Sequence, residues 1–136
     1  MTDLAMIVDD PATRAEVEAA FAAYERALVT NDVEALDAFF LPSETAIRYG
    51  VAENLYGYDA IKAFRAARSP AGLGRTLERT RIVSYGRDLA VTATLFRRDH
   101  APGKVGRQMQ TWVRFPQGWR IVAAHVSVID DPAAQS

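Results

Sequence analysis

Two polar residues in apolar surroundings carry the strongest chemical signal in this chain. Arg48 interrupts a strand-like stretch between Ile47 and Tyr49, and Gly50 follows at once. A guanidinium drawn inside needs an anion. Glu53, five residues on, offers one as a structural salt bridge, and a ligand carboxylate gripped in bidentate fashion offers another. Gly50 allows a ligand or a second backbone segment to approach closely. Tyr24 stands on the helical stripe of Phe21 and Leu28. Its ring therefore points at the core while its hydroxyl must find either a backbone carbonyl or a ligand. Arg68 shares a helix face with Ile61 and Phe64, aimed at the same interior or at the last carbonyls of its own helix. His125 alternates with Ile121 and Ala123 on the final strand, which makes it a polar wall of the interior or a satisfied sheet histidine.

Other chemistry is excluded by what the chain lacks. With no cysteine there is no disulfide, thiolate zinc site or thiol nucleophile. Only two histidines occur, His100 and His125, too far apart for a recognisable metal motif, and no glycine-rich phosphate loop or nucleophile elbow is present. A site without metal or cofactor is expected. Sixteen basic residues against 17 acidic ones give a formal charge of −1, so no overall field draws nucleic acid or membrane. Arg75, Arg79 and Arg81 surround Glu78 and read as a solvated strand face. The opening Met1-Thr2-Asp3-Leu4 has no basic segment followed by an apolar one, and no apolar run approaches the ~20 residues of a membrane span. A cytoplasmic protein is expected.

At 136 residues the chain suits one domain, taken as 1–131 with a flexible tail over 132–136. Asp10 and Pro11 open a helix carrying Val17, Phe21, Tyr24 and Leu28 and ending near Asn31. Asp32 caps a second helix with Leu36, Phe39 and Phe40, stopped by Pro42. Thr45 to Val51 is strand-like and Asn54 to Gly57 turn-like. Asp59 opens a third helix that Pro70 and Gly72 end. Period-two patterning then takes over. Leu77 to Tyr85, Leu89 to Arg97, Val105 to Phe115 and Trp119 to Ile129 read as four strands joined by short turns, hence as an antiparallel meander, with the Thr45 strand free to join an edge. The expected fold is α+β: three N-terminal helices on a curved, mainly antiparallel sheet that forms a cone with one pocket.

The element order, the Tyr24-Glu25-Arg26-Ala27 segment and the Trp119-Arg120-Ile121-Val122 run toward His125 resemble the nuclear transport factor 2-like superfamily. Phe39 to Pro42, the stretch from Arg48 to Gly57, and Ala63 to Arg68 resemble the AtzH family, related to the HpxZ proteins of oxalurate catabolism. The resemblance spans the chain outside its tail. It implies a decarboxylating amidase of ureide and cyanuric acid breakdown, converting a urea-derived dicarboxylate such as 1,3-dicarboxyurea to allophanate. It implies Tyr24 and Arg48 as catalytic residues, with Arg48 holding a substrate carboxylate and Glu53, Arg68 and His125 around it. A homodimer formed through the sheet is likewise implied, with Trp112 and Arg114 as contact candidates, although Trp112 suits a core equally well. The competing expectation is a pocket protein that binds a ureide, or supports a partner amidase, without turning anything over.

Overall fold

Asp10 caps the first helix. Its carboxylate accepts from the backbone N–H of Thr13 at 3.2 Å and from the Thr13 hydroxyl at 2.7 Å. These bonds cap helix α1, Pro11–Val29, whose first position is the proline that loses nothing there. Val17, Phe21, Tyr24, Ala27 and Leu28 form its buried stripe. Asn31 takes a left-handed φ of 51°, and Asp32 then caps α2, Val33–Phe39, through the Ala35 N–H. Beyond Phe40 the chain locks onto the last strand, with the Leu41 N–H donating to the Ile121 carbonyl at 3.0 Å. Helix α3, Tyr58–Ala67, begins after Gly57, one residue earlier than the sequence reading placed it, and Arg68 ends it in extended backbone.

The computed structural model describes residues 6–135; the expectation drawn from the first four residues lies outside them. Its strands are β1 Ile47–Tyr49, β2 Asn54–Tyr56, β3 Thr76–Tyr85, β4 Leu89–Arg97, β5 Lys104–Phe115 and β6 Gly118–Asp130. They form one six-stranded sheet in the order β2-β1-β6-β5-β4-β3, which does not close on itself. The last four make the expected antiparallel meander, and β1 joins its β6 edge in parallel, Arg48 opposite Ala124. The sheet is therefore mixed. Asn54 to Tyr56, read as a turn, is instead the outermost strand, antiparallel to β1 with Arg48 opposite Leu55. A 3-10 turn, Pro132–Gln135, opens the segment taken as a tail, and Ser136 lies outside the described residues.

Between helices and sheet sits an aromatic core. Trp112 is fully buried, so the structure places it in the core. Tyr24, Phe39 and Trp112 meet edge to face with centroids 5.9 to 6.4 Å apart, arrangements worth about 0.5–1.5 kcal/mol each beyond their burial. The Trp112 indole N–H donates to the Thr92 hydroxyl at 3.1 Å, which in turn donates to the Gln110 carbonyl oxygen at 3.1 Å. An ion pair fastens α3 to α2: Arg65 donates to Asp37 at 2.9 Å, with its guanidinium over the Phe40 ring. Among the described residues no helix is long and apolar enough to cross a membrane.

Candidate active site

Helix α1, the end of α3, the β1–β2 hairpin and the inner face of the sheet enclose a cavity of about 260 Å³. Tyr24, Arg48, Glu53 and Arg68 all line it. The helical stripe delivers Tyr24, because a residue spaced four before Leu28 shares its buried face. Among the described residues its hydroxyl makes no hydrogen bond, so the core tyrosine satisfied by a backbone carbonyl is not what the fold contains. The phenol group stands at the cavity free to donate.

Arg48 reaches in from β1 and donates to Glu53 Oε1 at 3.4 Å, with its guanidinium 5.2 Å from the centre of the Phe64 ring. The salt bridge weighed from the sequence therefore forms, through one nitrogen. Glu53 also accepts from the Ala52 N–H at 3.4 Å. Gly50 is explained by the same contact, since a Cβ there would collide with the Glu53 carboxylate. The close approach expected at Gly50 is thus made by this carboxylate.

Arg68 comes in from the helix end. Its Nε and Nη2 are buried and unpartnered among the described residues, so it does not serve the last-turn carbonyls. Burial pulls its pKa below the usual arginine value, and neighbouring Arg65, Arg48 and Arg98 push the same way while Tyr24 opposes them. An arginine stays charged through such a shift. The consequence is a positive potential with no internal counter-ion.

Four polar lining residues, Arg75, Arg98, His100 and Gln108, escaped the sequence reading. Arg75, grouped with Arg79 and Arg81 as a solvated face, turns inward. It grips both oxygens of Glu25, Nε to Oε2 at 2.9 Å and Nη2 to Oε1 at 2.6 Å. Arg79 and Arg81 stay exposed, and an irregularity between Glu78 and Arg81, where Arg79 has a φ of 51°, separates the two behaviours. Arg98 lines the cavity with a buried, unpartnered Nε, and burial beside Arg75 lowers its pKa. Gln108 lines it from β5. The available signal was phase: Gln108 and Gln110 fall on the inward positions of Trp112, where a polar side chain needs a reason.

His125 does not join them. Trp112 pairs with Ile121 but Thr111 with Ala123, so Val122 is one extra residue, and this bulge reverses the alternation of β6. Ile121 and Ala124 face inward and are buried, whereas His125 is exposed on the outer face, its ring 6.2 Å from that of Tyr49. The expectation that His125 walls the pocket is corrected accordingly.

Four guanidiniums therefore border the cavity. Arg48 and Arg75 are matched by Glu53 and Glu25; Arg68 and Arg98 have no ion-pair partner among the described residues. Such a lining suits an anion rich in acceptor oxygens and offers one phenol as proton donor. Among the described residues no three His, Asp or Glu side chains converge as metal ligands do.

A DUF3225-family protein of unknown function from Pectobacterium atrosepticum is 52% identical, with a TM-score of 0.90 over 93% of this chain and 100% of that one. A cystatin-like fold protein from Burkholderia xenovorans is 48% identical, with a TM-score of 0.90 over 94% and 100%. An NTF2-like protein of unknown function from Pseudomonas putida shares 17% identity and a TM-score of 0.73 over 92% of each chain, which supports the fold alone. No curated protein matches. The AtzH-like family pattern matches residues 6–132, nearly the whole chain, and the protein belongs to the AtzH-like family.

Proposed function

We propose that this protein is a cofactor-independent enzyme that decarboxylates a urea-derived dicarboxylate, such as 1,3-dicarboxyurea to allophanate. The observation that carries this reading is the free Tyr24 hydroxyl in the same cavity as the uncompensated guanidinium of Arg68. Arg48 and Arg68 orient the carboxylate that is kept. The N–C bond to the other carboxylate breaks, its electron pair passes to nitrogen, and carbon dioxide leaves. Nitrogen takes the Tyr24 phenolic proton, which solvent then restores. A phenol is protonated at neutral pH and needs no tuning for this task. HpxZ-like action on a related ureide would use the same parts.

The second reading is a ureide-binding protein, or an accessory to an amidase, because a lining rich in guanidinium donors serves binding as well as turnover. Incubation with a panel of ureide dicarboxylates separates the two. Carbon dioxide release with a mass-identified product, unaffected by chelator, is expected. Ligand-dependent thermal stabilisation with the compound recovered unchanged would leave only the binder.

A further inference from the structure

Gln108 lines the cavity, is only 3% exposed, and its two ends are differently placed. Its Oε1 accepts from Arg75 Nη2 at 3.0 Å, while its Nε2 is buried with no hydrogen-bond partner among the described residues. Arginine carries donors only, so the carbonyl end has to face Arg75 and the NH2 is the free end. Arg75 is itself held: Glu25 grips it through two bonds, its side chain is 2% exposed, and its guanidinium lies 4.6 Å from the Phe96 ring centre. Phe96 fills the space over Gly106, where a Cβ would collide with the ring. Arg98 lies over that same ring at 4.9 Å, with its Nε also unpartnered. Buried donors without acceptors are costly. Two of them line one cavity, Gln108 bonded to Arg75 and Arg98 over the same Phe96 ring as Arg75, and they mark a place where an acceptor-rich group is stabilised on arrival.

We propose that Gln108 Nε2 and Arg98 form a second anion subsite, oriented by the Glu25–Arg75 pair, which takes the second carboxylate of a dicarboxylate whose first is held by Arg48 and Arg68. This rests on the cavity being an anion site, and it does not require turnover.

Calorimetric titration of the full chain with malonate and with acetate tests it. Malonate should bind at least about tenfold tighter than acetate, the worth of one added hydrogen bond to a charged group. Gln108→Leu and Arg98→Gln should each weaken malonate by about tenfold and leave acetate unchanged, as loss of one such bond requires. Gln108→Glu keeps an acceptor for Arg75 but presents a like charge, so it should weaken malonate further. In wild-type protein with 15N-labelled glutamine, the Gln108 NH2 protons should shift downfield with malonate and not with acetate, a readout independent of how the variants fold. If Arg68→Gln loses both ligands while the Gln108 variants bind like wild type and the NH2 signals stay still, the second subsite is overturned and the anion cavity stands. If wild type binds neither ligand, both fall. Malonate binding that depends on Gln108, without turnover of any ureide, upholds the subsite and removes the catalytic reading.

Discussion

Arg48 touches Glu53 through one nitrogen at 3.4 Å, and both side chains keep some solvent contact, 12% and 21% exposed. A pair of this kind is worth about 1 kcal/mol or less. Arg48→Ala should therefore lower stability by only about 1 kcal/mol, while ligand-induced stabilisation disappears; melting curves with and without a ureide dicarboxylate decide it. A loss of several kcal/mol, with activity failing only in step with folding, would make Arg48 structural. Tyr24→Phe keeps the ring against Phe39 and Trp112 and deletes a hydroxyl that makes no hydrogen bond among the described residues. It should leave the melting temperature near wild type and binding intact, and slow turnover by about 10²–10⁴-fold, the usual worth of a positioned proton donor. Tyr24, Arg48 and Arg68 were legible because each is a polar residue where the pattern asks for an apolar one. Arg75 was not, since a neighbourhood of like charges reads as surface until the β3 irregularity parts it from Arg79 and Arg81.

At the scale of elements, the α2–α3 clamp depends on Asp37 and Arg65, which are 8% and 3% exposed. Asp37→Ala strands a buried guanidinium and should cost about 3–5 kcal/mol in urea unfolding, far more than Arg68→Gln, whose guanidinium has no hydrogen-bond partner among the described residues. That contrast separates a structural arginine from the proposed ligand-binding one three residues away. The α1 cap carries a pH signature. Hydrogen bonds from Thr13 hold the Asp10 carboxyl below its ordinary value. A depressed folded pKa means the contribution is present above the unfolded carboxylate range, about 3.9, and is lost as pH falls through the folded value. Asp10→Asn keeps a capping acceptor that does not titrate. Its melting temperature should fall less between pH 6 and pH 3 than that of wild type, and an identical fall would remove Asp10 from the acid response. Asp131 adds a term of the same sign, because Arg97 and the Ala133 N–H lower it. Helix boundaries were readable from caps and prolines, which act locally. The Val122 bulge was not, because one extra residue leaves the composition of a strand unchanged while exchanging its faces.

For the whole molecule, the order of helices and meander followed from periodicity and short turns, whereas the parallel pairing of β1 with β6 joins residues as distant as Ile47 and Ala123. No local pattern encodes such a contact. The same topology leaves the outer sheet face bare: Ile47, Tyr49, Met109, Ala123 and His125 border one shallow depression there, with Met109 54% exposed. An exposed apolar patch on a sheet face is costly in a monomer, and a second copy of this chain would cover it. We propose a homodimer formed through this face, with Trp112 absent from the contact because it lies in the core. Light scattering should give twice the chain mass, and Met109→Lys, by placing like charges opposite each other across a two-fold axis, should halve it. The cavity is lined by inward-facing residues such as Gln108, one position from Met109 and on the other side of the strand. The monomeric variant should therefore keep its ligand-induced stabilisation. A wild-type mass that stays at one chain across micromolar concentrations would remove the dimer, and a Met109→Lys monomer that no longer binds ligand would mean the partner copy shapes the cavity through the sheet.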